Sequence, residues 1–215
     1  MTEPRRIQER FTEDTAAHEL TIIREEGLYR HLRLQRPGTG ACSFDIITWP
    51  GYLAFVGDMG DYVFSRTDDM FGFFGADGIN PDYWREKVQA ACDDGVSEFS
   101  EDVYRERVEE WRDEVIAGFA DEYETTDEDN AGKRDEFTSA VEDELLDMSD
   151  SISEESAHAR LNDFRFGDRI ECGDSWEWDL RRFTRRYIWA LYAITWAIGE
   201  YRKAIAPTAT VGDVL

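Results

Sequence analysis

Apolar and polar residues alternate in short runs over the first third of the chain and recur at helical spacing beyond it. His18–Arg24 (HELTIIR) reads as a strand, broken by Gly27. Leu28–Arg36 alternates, with Leu28, Leu32 and Leu34 on one face and Tyr29, His31, Arg33 and Gln35 on the other. Cys42, Phe44 and Ile46 share a face of the next run. Leu53 and Phe55 share one after the Pro50-Gly51 turn, where Pro presets φ and Gly supplies a positive one. The Asp58-Met59-Gly60-Asp61 turn leads into Tyr62–Ser65. Such runs joined by short turns predict an antiparallel meander of four to five strands over about 17–66.

From residue 68 the period changes. Thr67 or Asp68 is placed to cap a short helix containing Met70, Phe71, Phe73 and Phe74. Asn80-Pro81 opens another, with Trp84, Val88 and Ala91 as its stripe. Ser100 precedes a helix whose apolar positions are Tyr104, Val108, Trp111, Val115 and Phe119. Asp121–Lys133 is polar and reads as a turn or loop, and Phe137, Val141, Leu145 and Met148 mark the next helix. Ser149–Ser156 is a polar break with capping potential, and Phe164, Phe166, Ile170, Trp176 and Trp178 alternate loosely enough for a short strand. Leu180–Arg202 reads as a last helix, apolar on every face through its middle and therefore buried between the sheet and the acidic helices. Residues 3–16 are polar and predict a short helix or a loose segment. The fold class is α+β in a single domain over 1–215: an N-terminal antiparallel sheet packed against C-terminal helices at about 68–205, with acidic, insertion-like helices at 98–155.

Composition narrows the setting. A chain of 215 residues with 41% hydrophobic content, 7 Trp, 9 Tyr and 13 Phe has enough apolar surface to fold around a core. Cys42, Cys92 and Cys172 are an odd number, far apart and without a CxxC pair, which points to reduced thiols and a cytoplasmic protein. The start MTEPRRIQERFTED is no secretory signal, and the longest apolar run, Tyr187–Ile198, is too short to span a bilayer. No membrane partner is expected.

The net charge of −24 is unevenly spread. Residues 1–90 carry 15 acids and 10 bases, 91–160 carry 25 and 6, and 161–215 carry 8 and 8. The bases are 21 Arg and 3 Lys, a bias that fits a GC-rich genome or a salt-adapted host. Salt adaptation would spread acid over the whole surface, so its concentration in one third of the chain weakens that explanation. Direct binding of nucleic acid is disfavoured by the charge.

The run GYLAFVGDMGDYVFSRTDDMFGFF, followed by INPDYWREKV at Ile79–Val88, resembles a family of uncharacterised proteins of phage and prophage genomes. That family carries closely similar GD-M-G-x-Y-x-F-x-R, DMF-x-FF and INP-x-YW-x-EK strings. The run YIWALYAITWAIGEY at Tyr187–Tyr201 is similar to its aromatic C-terminal helix. The acidic middle is the least similar part. The resemblance implies a phage- or prophage-related accessory protein and carries over neither a catalytic residue nor a cofactor.

Several groups are candidates for chemistry. Asp58, Asp61 and Asp68, with Asp45 and Asp69 nearby, are turn carboxylates of the kind that bind Mg²⁺ or serve as acid and base. Asp is also an ordinary turn and cap residue, and no spacing here matches a metal loop. His18, His31 and His158 are neither four apart nor beside a Cys, which argues against zinc. His31 reads as a general base or, more simply, a solvated strand histidine, and Cys42 as a small buried residue. No Walker A, GxGxxG or GxSxG string is present, and no cofactor is expected. Arg181-Arg182 and Arg185-Arg186 form a basic patch at the start of the last helix, able to hold phosphate. Because cations oppose the macrodipole there, a specific anion must offset them, most simply an acid of the same chain.

The acidic helices are the main functional candidate, through Glu106, Glu109, Glu110, Asp113, Glu114, Asp135, Glu136, Glu142 and Asp143. A fixed carboxylate array imitates a duplex backbone, with its one charge per about 1.7 Å. It would occupy the basic groove of a host nuclease or other nucleic-acid-binding or defence protein, as a counter-defence (anti-CRISPR-like) inhibitor does. The plain alternative is a solvated face that keeps the chain soluble. Two other classes compete: a small enzyme with a carboxylate or metal site at Asp58, Asp61 and Asp68, and a structural or oligomeric protein whose aromatics form an interface. The non-enzymatic binder is favoured.

Overall fold

A computed structural model describes residues 3–75, 78–122, 127–149, 151–167 and 170–207. They gather into two compact units, one of residues 1–97 with 183–215 and one of residues 98–182. The α+β class expected from the pattern is the one observed.

The first unit is a sheet covered on one face. The helix α1 (Glu3–Thr15) is followed by β1 (Glu19–Glu26), β2 (Tyr29–Gln35), β3 (Phe44–Trp49), β4 (Tyr52–Gly57) and β5 (Gly60–Ser65). Two short helices, α2 (Met70–Phe74) and α3 (Pro81–Arg85), precede β6 (Val88–Ala91). The strands pair antiparallel in chain order from β1 to β6. The period-two faces hold: Leu32, Leu34, Phe44, Ile46, Leu53, Phe55, Tyr62 and Phe64 are all buried against helices. The covering helix is α7 (Arg185–Ile205), with buried Tyr187, Trp189, Leu191, Ile194 and Ile198. Trp189 is fully buried and meets Phe11, Phe44 and Phe55 edge-on.

Several expectations are corrected here. The sheet has six strands, because Val88–Ala91 pairs with β5 instead of continuing a helix through Trp84, Val88 and Ala91. Lys87 ends α3 with its N–H on the Trp84 carbonyl, and its own carbonyl accepts from Ser65 N–H, so the chain is already committed to the sheet edge. Of the two readings of residues 3–16, short helix or loose segment, the helix is the one observed, because Ile7 and Phe11, one turn apart, both bury against the sheet core. The cap of α2 is Asp69, not Thr67 or Asp68. The last helix begins at Arg185, since Arg181–Phe183 (β10) is extended and Thr184 caps α7 through Tyr187 N–H. The core around α7 is completed by α1 and α2, and the second unit builds its own.

The chain enters the second unit through β7 (Ser97–Phe99) and leaves through β10, which pairs with it. Between them come α4 (Glu101–Glu122), α5 (Asp127–Glu144), α6 (Glu154–Asp163) and a hairpin of β8 (Arg165–Phe166) and β9 (Ile170–Glu171). The acidic segment expected at 98–155 therefore lies in a unit that continues to Arg182. Residues 127–133, read as loop, are the start of α5, and residues 123–126 lie outside the described ones. Tyr104, Val108 and Phe119 of α4 bury against Phe137 and Val141 of α5, with Leu145, Leu161 and Phe164 completing the core. Ser153 and Ser156 form a capping box at the start of α6. Glu101 Oε1 accepts from both Ser151 Oγ (2.9 Å) and Ile152 N–H (3.1 Å), fixing the approach to that cap.

Candidate functional site

The turn carboxylates are engaged with the backbone. Asp58 Oδ2 accepts from Cys42 N–H at 2.8 Å, and Asp61 Oδ1 accepts from Gly57 N–H at 3.2 Å. The first contact steadies Cys42, which sits in the left-handed region at φ 54° although it is not a glycine. Asp68 contributes its carbonyl, which accepts from Gly51 N–H at 3.1 Å, while its residue stays exposed. Asp45 accepts from Arg33 Nε and Nη2 and from His31 Nε2, each at 2.8 Å. Burial pushes its carboxyl up, but the hydrogen bonds from Arg33 and His31 outweigh that and hold it below the usual range. Among the described residues no group of three or more His, Cys, Asp or Glu is placed to hold a metal ion. Asp58 and Asp61 thus bond backbone N–H groups through their carboxylates, and Asp68 does so through its carbonyl.

His18 and His31 each hydrogen-bond an oxygen, not a thiol. His31 donates to Asp45, and His18 Nε2 donates to the Cys42 carbonyl at 3.0 Å, not to its thiol. Burial raises the Cys42 thiol, and it pushes the Cys172 thiol up to about 12. Cys172 and His158 line one hollow of about 420 Å³ together with Asn162, Arg165 and Trp176. Trp176 is 74% exposed at its rim. This hollow is built from residues that sequence spacing did not connect. Its one signal was the loose alternation ending in Trp176 and Trp178.

The acidic residues are placed differently. At about 100° per residue, Glu106, Glu109, Glu110, Asp113 and Glu114 fall within an arc of about 140° on α4. They lie opposite Tyr104, Val108, Trp111 and Val115, which turn toward the core. On α5, Asp135, Glu136, Glu142 and Asp143 fall within about 120°, turned away from Phe137 and Val141. All nine are exposed except Glu109, which is half-buried. Glu110 pairs with Arg107 and Asp113 with Arg112; the other seven make no ion pair among the described residues. A second hollow of about 300 Å³, lined by Arg107, Glu110, Trp111, Glu114, Gly173 and Trp178, borders the α4 stripe. Of the 48 acids in the chain, 29 lie at 98–182, against 10 of the 24 bases.

The arginine run divides. Arg181 bonds Glu154 at 2.5 Å, Arg182 bonds Glu98 at 3.1 Å, and Arg186 bonds Asp94 at 2.7 Å. For these three the anionic partner is an acid of the same chain, and two of them stand in β10 instead of on a helix.

Among the described residues no helix is long and apolar enough to cross a membrane. No family model, curated protein or solved structure matches the chain.

Proposed function

We propose that this chain is a cytoplasmic, phage- or prophage-related accessory protein that binds a basic host protein through the outer faces of α4 and α5. The partner class is a nucleic-acid-binding or defence protein, whose basic groove the carboxylates fill in place of a nucleic-acid backbone. The observation that carries this reading is the set of nine carboxylates turned away from the core of the second unit, seven of them without an ion pair among the described residues. Unpaired like charges three and four apart destabilise a helix, by roughly 0.2–0.5 kcal/mol each, so stability alone does not favour the pattern. Opposite charge on a partner would remove that cost and speed encounter. The phage setting rests on the resemblance of the central and C-terminal strings.

The test is capture from host lysate at low and high salt. Wild type is compared with a variant carrying Glu106→Gln, Glu109→Gln, Glu110→Gln, Asp113→Asn and Glu114→Gln. Wild type should retain a nucleic-acid-handling protein that the variant loses and that high salt releases. Equal capture by both, or none by either, would overturn the reading.

A further inference from the structure

Arg185 departs from its three neighbours in sequence. It makes no ion pair among the described residues, although it stands in the first turn of α7, where the macrodipole opposes a cation. It lines a hollow of about 400 Å³ with Arg6, Ile7 and Arg10 of α1. Arg6 is likewise exposed and without a carboxylate among the described residues. Arg10 is held in place: its Nε lies 3.0 Å from Asp14 Oδ1, and Asp14, 10% exposed, accepts from the Trp189 indole N–H at 3.3 Å. In a chain of net charge −24, three arginines from two helices line one hollow, and among the described residues only Arg10 has a carboxylate partner.

From this we infer that the hollow is a binding site for a compact phosphate, either inorganic phosphate or a phosphate monoester. Guanidinium forks match phosphate oxygens two at a time, and an anion between Arg6 and Arg185 relieves both their repulsion and the unfavourable end of α7. The volume falls in the range of small-molecule sites, about 300–1,000 Å³. Ile7, which is buried, gives the site an apolar floor. Screening sets the ligand's size. With a Debye length of about 8 Å at physiological ionic strength, acids farther away than that are screened from a compact anion, while Asp14 and Glu13 are paired with Arg10. An extended polyanion would also meet the acids of the chain, so a nucleic acid is the wrong occupant.

The experiment is calorimetric titration of the full chain with inorganic phosphate and with phenyl phosphate, in a phosphate-free buffer at low ionic strength. Wild type, Arg6→Gln, Arg185→Gln and the exposed control Arg66→Gln are compared, with thermal melts confirming the fold of each. Wild type and Arg66→Gln should bind alike, and Arg6→Gln and Arg185→Gln should each lose about tenfold or more, the worth of one charge-assisted hydrogen bond. Tighter binding of phenyl phosphate would assign the site to monoesters, and equal binding to inorganic phosphate. No saturable binding by wild type would overturn the proposal. Undiminished affinity in both hollow variants would do the same, as would tighter binding of a 20-residue single-stranded oligonucleotide.

Discussion

Arg30 clasps Asp69 through two hydrogen bonds, of 2.8 and 3.1 Å, while the same carboxylate caps α2 by accepting from Phe71 N–H at 3.0 Å. The guanidinium also lies over the Phe71 and Tyr201 rings, tying β2, α2 and α7 together. Asp69→Ala removes both cap and clasp and should cost about 1–2 kcal/mol in urea unfolding. Asp69→Asn keeps a capping oxygen and should cost less. Equal losses would mean that the cap adds nothing beyond the clasp.

The same pair sets an acid limit. The Arg30 hydrogen bonds hold the Asp69 carboxyl below its usual range, and Asp45 is held low beside Arg33 and His31. A carboxyl whose folded value lies below its unfolded one stabilises above the unfolded value, about 3.9, and loses that contribution as pH falls through the folded value. Stability should therefore drop below about pH 4, and Asp69→Asn should flatten that slope.

The second unit has the opposite sensitivity. Burial pushes both the Tyr104 hydroxyl and the Cys172 thiol up to about 12. These groups stabilise fully below their unfolded values, about 8.5 for Cys and 10 for Tyr, and the contribution is lost as pH rises toward the folded ones. Denaturation followed from pH 7 to 11 should show progressive weakening. At pH 8 Cys172 should react with iodoacetamide only as fast as the unit opens. Rapid labelling in the native state would contradict its burial.

Tyr104 also donates its hydroxyl to the Leu145 carbonyl at 3.1 Å inside that core. Tyr104→Phe leaves the carbonyl without this donor and should cost about 1 kcal/mol. Phe137→Ala removes a fully buried ring that meets Trp111, Phe119 and Phe164, and should cost about 3–5 kcal/mol. Because the sheet has a separate core, Phe137→Ala should leave the near-ultraviolet signal of Trp189 in place while the second unit melts.

The carboxylate stripe on α4 should reveal itself through salt. Glu106, Glu110 and Glu114 repeat at four-residue spacing on one exposed face. Raising sodium chloride from 10 to 500 mM should stabilise the wild type, and the five-fold neutralised variant should gain much less. No difference in salt response would place the charges too far apart, or too well solvated, to interact.

What could be read along the chain was what local pattern decides. The faces of β2 to β5 follow from alternation, and the buried faces of α4 and α5 from their four-and-three spacing, with Tyr104, Val108, Phe137 and Val141 all in the core. The edge strand β6 could not be read, because Val88 and Ala91 are also three apart and follow a good helix start at Asn80-Pro81. Its pairing with β5 decides the matter, and pairing is tertiary. For α1 the signal was two residues, Ile7 and Phe11, in a polar segment. The acidic faces were legible because one helix carries each of them. The arginine hollow was not, since Arg6 and Arg10 meet Arg185 only after the last helix has packed.

That packing order bears on how the protein is made. The apolar face of the six-strand sheet is complete in sequence by Ala91, yet the helix that covers it is Arg185–Ile205, beyond the whole of the second unit. On a ribosome the strands would emerge first, and residues 98–182 would follow with a core of their own. The sheet meanwhile must wait for its cover, holding Phe44, Phe55, Tyr62 and Phe64 in an open state. Synthesis at about 5–20 residues per second makes that wait several seconds long, time enough for such a surface to find another chain or a chaperone.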